Sequence, residues 1–483
     1  MKIGNWLVMT VIATLTIGLI APLSPQAATE QTILDESIYD LLVDRYFNKT
    51  IENDFEVDTR IPSAFAGGDF MGVAEKLSHI QKMGFTLISL GPIFSTETYD
   101  GKQVLDYSTL ERHFGTEEEF AILIDKAHEM KMGIIADFPM QNVSPNHIWA
   151  SDTEKQSWLI VNEDGNLSWD YENEEATNAV KEAILDFVGR HKLDGLRLTE
   201  IEGIDTVFLN QIIDSLKEQN EDFYVISNEE SDAEFDAKFL KEQANVYRDM
   251  FKNVDQDSSK IVGLSKDEPV IHALDSIETR RFTADAAEEN MFPPTRWKMG
   301  LATLLSIPGV PMMTYGSEIA VNGEQAPETH PILNFKVDEE LIEFIGDVQS
   351  LRNQSAALRT GDIEMLHNEA GFMVYKRWND EETWIVAVNN SGITQSFDLS
   401  KEVIGDNKEL RGLFESDIMR QKDGGNYRLV LDREVAEFYT IKDNEGINKA
   451  YMAALAFVYI LFVGFIYLVW RKGKQKKIEA NQK

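Results

Sequence analysis

Short apolar runs alternate with amphipathic helical runs along most of this 483-residue chain, and that alternation leaves few folds open. IYDLLVDRYF is followed by VAEKLSHIQKMG and then FTLISLGPIF. EEFAILIDKAHEMKM precedes GIIADFP, EEATNAVKEAILDFVGRHK precedes LDGLRL, and LNQIIDSLKEQ precedes FYVISNEE. Strands alternating with helices of this length predict parallel βαβ units, since a parallel crossover needs the long connection that a helix supplies. Enough units are present to close an eight-stranded barrel. Near Leu351 the period changes to short strands separated by turn residues: FMVYKRW, TWIVAVNN, TQSFDLS, YRLVLD and EFYTIK. The predicted fold class is therefore α/β, with a (β/α)8 barrel over residues 28–350 and a small antiparallel β-sandwich over 351–442.

Both ends read as membrane-directed. Residues 1–27 have a basic start at Lys2, an apolar run from Trp6 to Ile20, then Pro and small residues, the pattern of a secretory signal. Ala450 to Trp470 carries no charge and as a helix would be about 31 Å long, enough to cross a bilayer core. Tyr451 and Trp470 stand near its ends like interfacial anchors, and the basic run RKGKQKK opens the tail 471–483. Basic residues stay on the cytoplasmic side, so the expected topology is a single-pass cell-membrane protein with its large domain outside and its C-terminus cytoplasmic.

The formal net charge is −36; the flanks 1–27 and 471–483 are net +1 and +5, so the segment between carries −42. Such a polyanion is not built to bind nucleic acid, which needs clustered cations. No cysteine is present, which excludes disulfides and thiolate metal sites and fits export from a Gram-positive bacterium. No metal-ligand cluster is legible, and no cofactor is expected.

Several segments, in order, carry a resemblance. IYDLLVDRYFN, FAGGDFMGVAEKLSHIQKMGFTLISLGPIF, FGTEEEFAILIDKAHEMKMGIIADFP, IPGVPMMTYGSEIAVNG, LRNQSAALRTGD and VAVNNS are similar to successive segments of the α-amylase family, glycoside hydrolase family 13. The resemblance runs from about Ile38 to Lys442. It implies a TIM barrel whose C-terminal mouth holds three carboxylates: an aspartate nucleophile, a glutamate acid/base and an aspartate that grips the sugar. Retaining hydrolysis of this kind needs two carboxyl groups roughly 5–5.5 Å apart.

Against that pattern the site departs repeatedly. The fourth-strand motif Gly-Phe-Arg-hydrophobic-Asp reads Gly195, Leu196, Arg197, Leu198, Thr199, so the nucleophile position is Thr199. A threonine hydroxyl is a weak nucleophile without an activating base. Glu200 is next, but side chains alternate along a strand, so it turns inward only if the strand has ended. The third-strand motif Asp-x-x-x-Asn-His reads Asp137 to Asn142, with Gln141 and Asn142 replacing its last two residues. Lys102 stands where a tyrosine would stack under the sugar. Asp-Asn-His-Asp is aligned with His272 to Asp275, leaving Asp275 as the surviving acid. Glu229 is the chosen acid/base position, with Asn228 as the other candidate. Substrate-binding candidates are Arg197, Asp137 and Asn142, although Arg197 could equally be an interior ion-pair partner for Asp137 or Asp275. His147 and Trp149 read as loop aromatics, with a sugar platform as the sharper alternative. The segment 143–168, where relatives carry a protruding domain, is reduced.

The expected function is that of an α-amylase-family surface protein linked to carbohydrate metabolism: a pseudoenzyme that binds α-glucan or another glycan, or scaffolds a membrane protein partner. The alternative is an active α-glucan hydrolase or transglycosylase with altered machinery.

Overall fold

In the computed structural model, residues 31–162, 165–259, 261, 269–336, 339–422, 424–444 and 449–480 are described. Residues 1–27, which the sequence reads as a secretory signal, lie outside them. Eight parallel strands close into a barrel: β1 (Ile38–Asp40), β2 (Leu87–Pro92), β3 (Gly133–Pro139), β4 (Gly195–Thr199), β5 (Tyr224–Ser227), β6 (Ala237–Phe239), β7 (Val270–His272) and β8 (Val310–Thr314). Each pairs with its sequence neighbours, and β8 returns to β1 through Ile38↔Met312. Helices α1 (Phe70–Met83), α2 (Glu117–Glu129), α3 (Glu174–Arg190), α4 (Thr206–Gln219), α5 (Lys241–Phe251), α6 (Pro293–Leu304) and α7 (Glu340–Gln354) cover the outside. The regular alternation fails once: residues 228–236 join β5 to β6 without a helix.

Local chemistry places these helices. Asp69 caps α1 by accepting the Gly72 N–H at 2.6 Å, and Thr116 with Glu119 closes a capping box on α2. A Cβ on Gly68 would stand 2.1 Å from the Val43 carbonyl oxygen, so the chain entering α1 passes β1's loop too closely for any side chain. The strands then sort their side chains by alternation. Ile134, Ala136, Phe138, Leu196 and Leu198 face the helices, while Ile135 joins Ile38, Leu87, Ile226, Ile271 and Val310 in the barrel interior.

The last barrel helix runs to Gln354 and a short helix, Ala356–Thr360, follows; a boundary at residues 350–351 therefore cuts a helix. The C-terminal domain has a six-stranded antiparallel sheet, from Asp362–Glu369 through Val435–Asp443, and a two-stranded one, Gln395–Leu399 with Tyr427–Leu431. It docks on α6 and the turn after it through buried polar contacts. Arg296 donates to the Asn390 side chain at 2.6 Å, and the Ser306 and Tyr375 hydroxyls meet at 2.6 Å. Beyond it, helix α8 (Lys449–Ala480) contains the apolar stretch Met452–Lys474, with mean hydropathy 2.5 and no residue buried against the rest of the chain.

Candidate active site

A cleft of about 550 Å³ opens at the C-terminal ends of the strands, where a barrel of this kind gathers its functional groups. Its floor is an ion triad. Register pairs Asp137 with Arg197 and Pro139 with Thr199, so inward residues of β3 and β4 stand side by side. Arg197 donates twice to Asp137, at 2.8 and 2.7 Å, and once to Asp40 at 2.7 Å; all three are at most 5% exposed. Burial pushes the Asp137 carboxyl up to about 6 in spite of Arg197, so it is ionised and paired at neutral pH. Arg197 and Asp137 thus line the cleft, but their short hydrogen bonds go to each other and to Asp40, with longer ones from Arg197 to the Met312 sulfur and from the Ser89 hydroxyl to Asp137.

The rim is different. Thr199 ends β4 and faces the cleft. The β4–β5 ladder pairs Leu198 with Ser227, and the Asn228 N–H continues it to the Leu198 carbonyl. Asn228 therefore stands at the level of Thr199, on the next strand, and both line the cleft. Glu229 also borders it, but its Oε2 accepts the backbone N–H groups of Ile201 and Glu202, both at 2.9 Å. Burial raises the Glu229 carboxyl above its usual range, against the pull of those two N–H groups.

Glu200 meets the condition for turning inward. The strand stops at Thr199, Glu200 takes φ 58°, and its side chain lines the cleft. A left-handed turn at a non-glycine residue is uncommon, and here it redirects a carboxyl that alternation would have sent outward. Gln141 pins the turn by donating to the carbonyls of Glu200 and Glu202 at 2.9 and 2.8 Å. Burial pushes the Glu200 carboxyl up to about 7, opposed by Asn142 and Lys102. Asn142 itself is not part of the cleft wall; it acts on Glu200 from behind.

Asp275 is also outside the cleft wall. It is 2% exposed, with one oxygen accepting the Phe282 N–H at 2.9 Å and the other the Ser317 hydroxyl at 3.1 Å, and Arg281 lies 3.8 Å away. Burial raises its carboxyl, against Arg281. The cleft is lined instead by Ser276, Ile277, Glu278 and Thr279. Aligning Asp-Asn-His-Asp with Asp275-Ser276-Ile277-Glu278, three residues further on, keeps an acid at both ends and puts the last one at the mouth. That ungapped match was the missed signal. Across the mouth, Lys102 forms an ion pair with Glu278.

His147 is fully buried among Tyr107, Trp149 and Trp169, and burial pushes its pKa down to about 4. It belongs to a packed aromatic cluster beneath the short hairpin Leu159–Val161 and Leu167–Trp169, not to an open platform. Among the described residues, no three or more His, Asp or Glu side chains are placed to hold a metal ion.

The architecture is a closed parallel barrel with a charged mouth, trailed by an antiparallel domain. Two family models agree: the α-amylase catalytic domain matches residues 40–164 and the α-amylase C-terminal domain residues 361–439. The crystal structure of an Anoxybacillus α-amylase superposes with TM-score 0.82 and 32% identity, covering 86% of this chain and all of that one. The α-amylase from Geobacillus thermoleovorans, solved with acarbose, gives TM-score 0.80 and 29% identity over 86% of this chain and all of its own. The chain belongs to the α-amylase family. Among sequence relatives, the beta/alpha-amylase of Paenibacillus polymyxa is 24% identical over 75% of this chain, which spans 34% of that protein. The intracellular maltogenic amylase of Bacillus subtilis is 22% identical over 72% of this chain and 66% of its own length.

Proposed function

We propose that this protein is a membrane-anchored α-amylase-family pseudoenzyme that holds a glycan at the barrel mouth without cutting it. The observation that carries this is the pair Thr199 and Asn228. They occupy adjacent inward positions at the ends of β4 and β5, where retaining hydrolysis needs a carboxylate nucleophile and a carboxylic acid. A hydroxyl and an amide supply neither group, so no glycosyl ester forms and no leaving oxygen is protonated. The anchor is the apolar part of α8, with the basic tail after it on the cytoplasmic side.

A second hypothesis rests on Glu200, which turns into the cleft beside the empty nucleophile position. There it would act as a substitute nucleophile, and the protein would retain hydrolysis or transglycosylation of α-glucan. Turnover of maltoheptaose by the full-length protein in neutral detergent, at high protein concentration, separates the two. No product is expected. Product that disappears in Glu200→Gln would replace the pseudoenzyme with the second hypothesis.

Topology is checked through the absence of native cysteine. Ser396→Cys is expected to react with a membrane-impermeant maleimide on intact cells, and Gln482→Cys only after lysis. Labelling of both on intact cells would refute the orientation.

A further inference from the structure

The charge of the cleft narrows what it holds. Nine carboxylates and three cations line it. Arg197 is matched by Asp40 and Asp137, and Lys102 by Glu278. Glu229 is engaged by backbone N–H groups. Glu200, Glu202, Glu230, Glu242 and Asp100 remain, with no ion pair to a cation among the described residues; the Lys102 ammonium acts on Glu200 and Asp100 only through space, and Lys241 is the remaining cation in the lining. Glu200 Oε2 is buried without a hydrogen-bond partner. Carboxylates crowded into a concavity repel one another and concentrate cations.

The cleft also shows what kind of cation it accepts. The ammonium of Lys102 is already seated there on Glu278. Burial works against that charge, yet Glu278, Asp100 and Glu200 outweigh it, and its pKa lies above the ordinary lysine value. The sequence places Lys102 where the family's sugar-stacking tyrosine stands. Among the described residues, the one aromatic ring in the lining is Phe239, which is 7% exposed and packed into the barrel interior. A neutral glucan would find no open stacking surface among the described residues, and its uncharged partners, Thr199, Ser227, Asn228, Ser276 and Thr279, are outnumbered by charged side chains. A primary ammonium would find charge-assisted acceptors on several sides.

We infer that the ligand is a glycan bearing free primary amines, whose ammonium groups pair with Glu200, Glu230 and Glu242 as Lys102 pairs with Glu278. This rests on the glycan-holding function proposed above and names its ligand class.

The test is calorimetric titration of the full-length protein in neutral detergent with four probes: the glucosamine hexamer, its fully N-acetylated counterpart, maltohexaose and spermine. The glucosamine hexamer is expected to bind at least about tenfold more tightly than the other three, and to weaken by a similar factor between low and physiological salt. Glu230→Gln with Glu242→Gln, both at exposed positions, is expected to weaken it about tenfold with no change in melting temperature. Glu200→Gln supplies a second variant inside the cleft, with the same direction expected. Maltohexaose binding as well as the glucosamine hexamer would overturn the inference and leave the glycan-holding function standing. Spermine binding as well as the hexamer would overturn it too, since the sugar would then contribute nothing. Failure of all three hexasaccharides would overturn both.

Discussion

The floor and the rim of this cleft, at Arg197 and Thr199, are two residues apart on β4 and differ in kind. The floor keeps the family's arginine and aspartate in a closed, buried triad with Asp40. The rim carries a hydroxyl at Thr199 and an amide at Asn228, with Lys102 and an inward Glu200 beside them. The difference teaches that Arg197 and Asp137 serve the barrel whether or not it cuts sugar, because removing either leaves an uncompensated buried charge. Rim residues border the open cleft and form no fully buried ion pair among the described residues, so exchanging them costs the fold less than breaking the triad.

The strongest test of that contrast is Arg197→Met. It strands Asp40 and Asp137 in the interior and is expected to cost about 3–5 kcal/mol in urea unfolding near neutral pH. A cost below about 1 kcal/mol would erase the distinction between floor and rim.

Next comes pH. Glu200 has a folded pKa of about 7 against 4.5 as its ordinary value. The folded state therefore holds this proton more tightly than the unfolded chain. The stabilisation is fully present below about pH 4.5 and is lost as pH rises through 7, on the order of 2–3 kcal/mol. Glu200→Gln is expected to match the wild type at low pH and to exceed it at pH 8, in paired thermal melts. Equal pH profiles for the two proteins would show that Glu200 is as well solvated as any surface acid.

Glu229 sharpens the boundary between the regions. If its task is to hold the turn after β4, Glu229→Ala leaves the N–H groups of Ile201 and Glu202 without their acceptor and costs roughly 1–2 kcal/mol. No loss of stability by denaturant titration would free Glu229 for the acid/base role that the sequence offered it. The smallest effect is expected from Lys102→Ala. Its ion pair with Glu278 is partly exposed, with side chains 37% and 48% accessible, and pairs of that kind contribute under about 1 kcal/mol. A larger loss would make the mouth a structural strap, not a replaceable rim.

The sequence by itself determined the barrel, because strand and helix periods are local and repeat often enough to survive individual substitutions. It also determined the antiparallel domain and the apolar C-terminal helix. It exposed Thr199, since a motif that keeps its glycine and arginine around a changed residue is visible without coordinates, and it posed Arg197 as either a sugar contact or an ion-pair partner. It did not show the missing helix between β5 and β6, where a nine-residue connection carries no pattern of its own.

Tertiary structure decided the site. Which of Asn228 and Glu229 stands beside Thr199 depends on the β4–β5 register, and a shift of one residue reverses every side chain. Whether Glu200 faces in depends on one left-handed dihedral just past the strand end. Asp275 and Glu278 are both acids in the same motif, and only the turn between them sends one into the core and the other to the mouth. Periodicity fixes an element's faces while the element lasts; these residues lie where the elements stop, and there direction is set by contacts between distant parts of the chain.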